Sequence, residues 1–95
     1  MATIELQRSH SLPIEEARKR AEELATSLEG KLGLKWRWEG ERLVFDAPHG
    51  PAKGTRGSVR VTGEEVSVEI DLPFLLRMLK GKVESRVKEK LDRLL

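Results

Sequence analysis

The sequence predicts an α+β fold in two layers, an antiparallel sheet of about five strands with two helices on one face, in the order β-α-β-β-β-β-α. Three observations predict it. Two Gly-Glu turns set hairpins whose large apolar residues all fall on the same face. Two amphipathic stretches, one early and one at the C-terminus, carry apolar stripes at three- and four-residue spacing. Ninety-five residues with no cysteine make a single domain, residues 1–95, held together by packing and not by disulfides.

The first strand spans about Thr3 to Arg8, with Ile4 and Leu6 on one side. A helix follows. Ser11 is placed to cap it, Pro13 to sit in its first turn, and Glu15 and Glu16 to favour the positive end of its dipole. Ile14, Ala17, Ala21, Leu24, Leu28 and Leu32 make its stripe, Glu15 with Lys19 and Glu16 with Arg20 pair on its wet faces, and Gly30 or Gly33 ends it.

The strands that follow have a register that turn chemistry sets. In Glu39-Gly40-Glu41-Arg42, glycine at the first turn position suits a type II′ turn, so Glu39 faces Arg42, Trp38 faces Leu43 and Trp36 faces Phe45. Thr62-Gly63-Glu64-Glu65 repeats the device and sets Val61 opposite Val66 and Val59 opposite Val68. Trp36 and Trp38 therefore belong to the core and not to a stacking platform. Between the hairpins, residues 47–57 are rich in Gly and Pro without periodicity and read as a flexible surface loop. Docking of the first strand is set by no hairpin, so strand order stays open.

The last element runs from Leu72 to Leu95 as one long basic amphipathic helix, entered through Asp71-Leu72-Pro73-Phe74 as the first helix is through Ser11-Leu12-Pro13-Ile14. It carries +4 while the rest of the chain carries −2. Leu72, Leu75, Leu76, Leu79, Val83, Val87, Leu91 and Leu94 form its stripe; Phe74 and Met78 lie off it, beside Arg77, Lys80 and Lys82. Either this first turn is bent or tucked against the first helix or a dimer partner, or it is an apolar spot exposed for a lipid surface, a polymer surface or a protein. A sheet of five strands is on the order of 24 Å wide and two helices at roughly 10 Å each cover about that width, so both stripes are expected to fill the space above the sheet.

Several function classes lose ground on composition. His10 and His49 are far apart in sequence and have no cysteine to complete a zinc site, and neither a Gly-Lys-Ser/Thr nor a GxGxxG loop is present. His49 with Asp46 lacks a positioned nucleophile, so no catalytic residue, cofactor or metal is assigned and the protein reads as no enzyme. No apolar run is long enough to span a bilayer, and the N-terminus alternates apolar and polar residues unlike a signal peptide; the expectation is a cytoplasmic protein. Free sheet edges and the apolar spot admit a homodimer.

His10-Ser11-Leu12, Glu16-Ala17-Arg18, Trp38-Glu39-Gly40, the Gly54 to Gly57 approach to a Val-alternating strand, and Leu75-Leu76-Arg77 followed by Lys80-Gly81-Lys82-Val83-Glu84 resemble the small polyhydroxyalkanoic acid system family of bacterial proteins. The likeness spans nearly the full chain, while the Pro-rich loop looks expanded here. The family takes its name from gene neighbourhoods with polyester-granule genes, and the resemblance implies no catalytic residue, cofactor or reaction. Together with the basic helix it implies a non-enzymatic accessory protein of polyhydroxyalkanoate storage that binds granules or granule proteins through Phe74, Met78, Arg77, Lys80 and Lys82. Two alternatives stand beside it: a carrier of a small apolar ligand between sheet and C-terminal helix, against which the expected close packing argues and for which the chain is short, since such a cavity needs about 300 Å³ or more, and a weak nucleic-acid binder, for which aromatics interleaved with basic residues are lacking.

Overall fold

Gly40 turns the first hairpin with a φ of 63°, the left-handed value that a type II′ turn needs at its first position. In the computed structural model, which describes residues 3–50 and 52–95 and the side chains of all of these except Lys31 and Leu32, the hairpin joins β2 (Lys35–Glu39) to β3 (Arg42–Asp46). Trp36 pairs with Phe45, Trp38 with Leu43 and Glu39 with Arg42, the register that the turn dictates. The second hairpin joins β4 (Arg56–Val61) to β5 (Glu65–Asp71) with Val59 opposite Val68 and Val61 opposite Val66, also as expected.

Its turn is built differently from the expectation. Gly63 is not among the glycines with positive φ, so the type II′ device is not repeated. Instead the Thr62 hydroxyl accepts the N–H groups of Glu64 and Glu65 at 3.3 and 2.9 Å, a side-chain turn of the kind threonine supports. The Thr62 carbonyl is thereby left for another donor, and His10 Nε2 donates to it at 2.8 Å while Leu12 N–H donates to His10 Nδ1 at 3.1 Å. His10 N–H also donates to Glu64 O at 2.9 Å. One histidine thus clamps the end of β1 (Ile4–Ser9) to the β4–β5 turn.

That clamp belongs to the pairing left open by the sequence. β1 docks antiparallel on β5, Ile4 opposite Ile70 and Leu6 opposite Val68, giving a sheet of order β1-β5-β4-β3-β2. The chain crosses from one edge to the other through α1 (Ile14–Leu32), a 19-residue helix about 28 Å long. Ser11 does not cap α1 and Pro13 is not in its first turn: the helix starts after Pro13, which is extended at φ −57° and ψ 147°, and no side chain caps it. The physical reason is local, since a residue before proline is kept out of the helical region and Leu12 N–H is already bound to His10. Gly33, at φ 69°, ends the helix as expected and donates its N–H to Glu29 O.

The apolar sheet face and the helices enclose one core, with Ala17, Ala21, Leu24 and Ala25 of α1 over Leu43, Val59, Val61, Val66 and Val68. Ile14, expected in the stripe, is exposed, and the Leu32 side chain lies outside the described residues. Of the two i,i+4 pairs on α1, Glu16–Arg20 forms at 3.3 Å. Trp36 and Trp38 are half-buried on the edge strand and packed against the core, their ring N–H groups donating to Glu29 and Glu22 of α1 at 3.2 and 2.6 Å.

The loop expected at 47–57 is shorter and less free than its composition suggests. β3 extends through Asp46 and β4 begins at Arg56; Pro51 lies outside the described residues. Ala47, Ala52 and Thr55 are buried, and Ala47 N–H to Thr55 O, Gly54 N–H to Ala47 O and Thr55 N–H to Ala52 O tie the segment to itself. Its alanines and Thr55 close one side of the core, while Pro48, His49, Gly50, Lys53 and Gly54 stay exposed.

Candidate functional site

Leu72 to Leu95 is not one helix. Leu72 and Pro73 are extended, Phe74–Leu79 form a 3-10 helix opened by Leu76 N–H donating to Pro73 O at 2.8 Å, and α2 begins at Lys80 and runs to Leu94. The difference in pitch redistributes the side chains. At three residues per turn, positions i and i+3 eclipse, so Leu76 falls over Leu79, Leu75 over Met78 and Phe74 over Arg77. Leu76 is half-buried against the core, and Leu79 borders the cavity while remaining exposed. Phe74, Leu75 and Met78 stand in water at 81, 80 and 87 % exposure.

Phe74 and Met78 are therefore not tucked against α1. Leu75, assigned to the buried stripe from an α-helical wheel, joins them, and Leu79 is exposed at 46 %. Arg77, Lys80 and Lys82 are exposed beside these apolar side chains. Sequence reasoning missed Leu75 because the wheel assumed 3.6 residues per turn.

Further along, α2 anchors itself through few groups. Val87 and Leu91 are its buried residues, Val83 and Leu94 pack partly, and Arg8 of β1 meets Asp92 at 3.0 Å. α1 lies over β2, β3 and β4 and α2 over β1. The two helices touch one another, and beside that contact α2, the 3-10 helix and the 47–55 segment meet over the sheet at a seam. The seam holds an apolar cavity of about 170 Å³ walled by Phe45, Ile70, Leu72, Leu76, Val83 and Val87, with Thr55 at its lining. Outside it runs an open groove of about 720 Å³ that shares Leu28, Leu79, Val83 and Val87 with the cavity and is rimmed by Lys82, Arg86, Lys90 and Arg93. At about 170 Å³ the cavity is smaller than the roughly 300 Å³ or more of a small-molecule site.

The family model described as "Putative polyhydroxyalkanoic acid system protein" matches residues 4–95. The chain belongs to that family. No curated protein and no solved structure gives a match. The stretches that carry the resemblance to polyhydroxyalkanoic acid system proteins fall into two groups. His10-Ser11-Leu12 and Trp38-Glu39-Gly40 are structural, one clamping β1 and the other turning a hairpin. Leu75-Leu76-Arg77 and Lys80 to Glu84 are the 3-10 helix and the first turn of α2, where the exposed apolar side chains meet the cavity wall.

Elsewhere the chain offers less. His49 is exposed, and no hydrogen bond joins it to Asp46 among the described residues. No group of three or more potential metal-binding His, Asp or Glu side chains occurs among them. The polar sheet face places Arg42 opposite Arg60, with Arg42 Nη2 donating to Ser58 Oγ at 3.0 Å, in a shallow depression shared with Glu69. Among the described residues Phe74 is the one exposed aromatic, and no helix is long and apolar enough to cross a membrane.

Proposed function

We propose that the protein is a non-enzymatic, cytoplasmic accessory protein of polyhydroxyalkanoate storage that attaches to the granule surface, or to granule proteins, through the 3-10 helix. The observation that carries this reading is the set of three large apolar side chains, Phe74, Leu75 and Met78, at 80 % exposure or more on one short turn, flanked by Arg77, Lys80 and Lys82. Full burial of side chains of this size is worth about 1.5–3 kcal/mol each, and each nearby cation adds roughly 1 kcal/mol against an anionic surface. Together these are enough for reversible attachment.

Wild-type protein is expected to co-sediment with purified granules, and Phe74→Asp/Met78→Asp to reduce the bound fraction more than about tenfold while changing stability by less than about 0.5 kcal/mol, since both side chains are exposed. A folded wild type that stays in the supernatant rules the reading out. Equilibrium sedimentation of the same pair identifies the homodimer alternative: a patch that serves self-association converts from dimer to monomer in the double variant.

A second reading has its own observation. The apolar cavity between sheet and C-terminal helix supports carriage of a small ligand in its wall of leucine, isoleucine, valine and phenylalanine side chains, which favours an alkyl group over water, while its volume of about 170 Å³, below the roughly 300 Å³ of ordinary ligand sites, restricts the occupant to a short one.

A further inference from the structure

We infer that the open groove between α1 and α2 is a docking site for an amphipathic helix of a partner protein, one with acidic residues along the borders of its apolar face. The inference is independent of attachment through the 3-10 helix, because Phe74, Leu75 and Met78 do not line the groove. Three properties specify the occupant together. The floor is apolar, formed by Leu28 of α1 with Leu79, Val83 and Val87. The rim on α2 carries Lys82, Arg86, Lys90 and Arg93, with Glu89 the one acid among the described residues that line the groove. None of these four cations is in an ion pair among the described residues. They follow one another at steps of four, four and three residues, and so stand on one ridge of the helix about 16 Å long.

A small anion with one carboxylate or phosphate meets one end of such a ridge and leaves the rest unanswered. A polyanion without apolar groups, such as a nucleic acid, answers the ridge and leaves the floor wet. A lipid layer offers charge and hydrocarbon, but it is flat, and it reaches the rim without reaching Val87, which lines the groove at 1 % exposure. An acidic amphipathic helix meets all three demands. Its glutamates, one turn apart, face cations one turn apart, and its apolar side chains reach down to the floor. Size agrees: about 16 Å of a helix about 10 Å across, half sunk, displaces roughly 650 Å³, against the groove's volume of about 720 Å³. Lys82, Arg86 and Lys90 are like charges at i,i+4, a spacing that destabilises a helix standing alone, and an acidic partner removes that penalty.

Fluorescence polarisation of the full chain with a labelled helical peptide of about 12 residues, leucine on one face and glutamate along both borders, tests this. The wild type is expected to bind it at least about tenfold tighter than a counterpart with lysine for glutamate, and at least about tenfold tighter than one with serine for leucine. Arg86→Glu/Arg93→Glu, at two exposed positions, is expected to weaken binding at least about tenfold and to abolish the preference over the lysine peptide. Phe74→Asp/Met78→Asp is expected to bind as the wild type does, so failure of docking and failure of granule attachment are read separately. No binding of the glutamate-leucine peptide up to about 100 µM overturns the proposal, and phosphatidylglycerol vesicles that then bind the wild type but not Arg86→Glu/Arg93→Glu give the ridge to a lipid surface. Equal binding of the serine counterpart also overturns it, by making the ridge a general polyanion site. So does loss of peptide binding in Phe74→Asp/Met78→Asp but not in Arg86→Glu/Arg93→Glu, which moves the peptide to the 3-10 helix. A wild-type dimer that Arg86→Glu/Arg93→Glu splits into monomers gives the groove to a second copy of the chain and overturns it too.

Discussion

Gly57→Ala is expected to cost about 3 kcal/mol of stability, seen as a fall of about 2 M in the urea midpoint with little change in slope. Gly57 lies on the core face of β4, opposite Phe45 of β3 and Ile70 of β5. A methyl group there would come within 2.4 Å of the Glu69 carbonyl oxygen and 2.6 Å of the Phe45 ring. The ring alone could turn aside, but the carbonyl is ladder backbone and moves only with the strand. Ring displacement would also push Phe45 into the cavity it lines. Gly63→Ala is the control: nothing lies within 4 Å of the added carbon and φ is not positive, so its midpoint is expected to hold to within about 0.5 kcal/mol. A loss below about 1 kcal/mol in Gly57→Ala would mean that β4 and β5 are not packed as closely as described.

Gly57 also shows where the sequence is readable. Period-two alternation from Gly57 to Val61 and the turn residues at Gly40 and Thr62 determine both hairpin registers, because a slip of one residue would move every valine to the wet face. Register survives even though Gly63 does not adopt the turn that was expected: the loop length is the same, and a threonine hydroxyl replaces the conformational freedom of glycine. Strand order was not readable, because β1 docks by a ladder to β5 more than 50 residues away, closed at its end by His10 on the Thr62 carbonyl, and no local pattern announces such a pairing. Nor was the 3-10 helix. Hydrophobic periodicity distinguishes 3.6 from 2 in long windows, but Phe74–Leu79 spans six residues, and over so short a window 3.0 and 3.6 residues per turn place most side chains alike. Leu75 is the position where they part, and it is a residue of the candidate site. The cavity was hidden for a different reason: its walls come from both helices, the 3-10 helix, the sheet and the segment after β3, and no local pattern announces where so many elements meet.

Val87→Asp is expected to release α2 without unfolding the sheet. Val87 is 1 % exposed and faces both the cavity and the groove, so a carboxylate there would lose its water with no partner to replace it, at a cost of about 4 kcal/mol. The helix has little to set against that. Leu91 is its one other buried residue, Val83 and Leu94 are half-buried, and the Arg8–Asp92 pair, with side chains 30 and 56 % exposed, contributes at most about 1 kcal/mol. Detachment therefore costs less than forcing the charge inside. Hydrogen exchange is expected to show lost protection along α2 with β3, β4 and β5 still protected, and trypsin to cleave after Arg86, Lys88 and Lys90 at least about tenfold faster than in the wild type. Simultaneous loss of protection in the sheet would make α2 part of one cooperative core and would defeat the prediction. The variant also separates the two functional readings, since Phe74, Leu75 and Met78 precede α2 while the cavity needs it as a wall: ligand binding is expected to disappear and granule attachment to persist through the three apolar side chains, weakened at most by the displacement of Lys80 and Lys82 with α2.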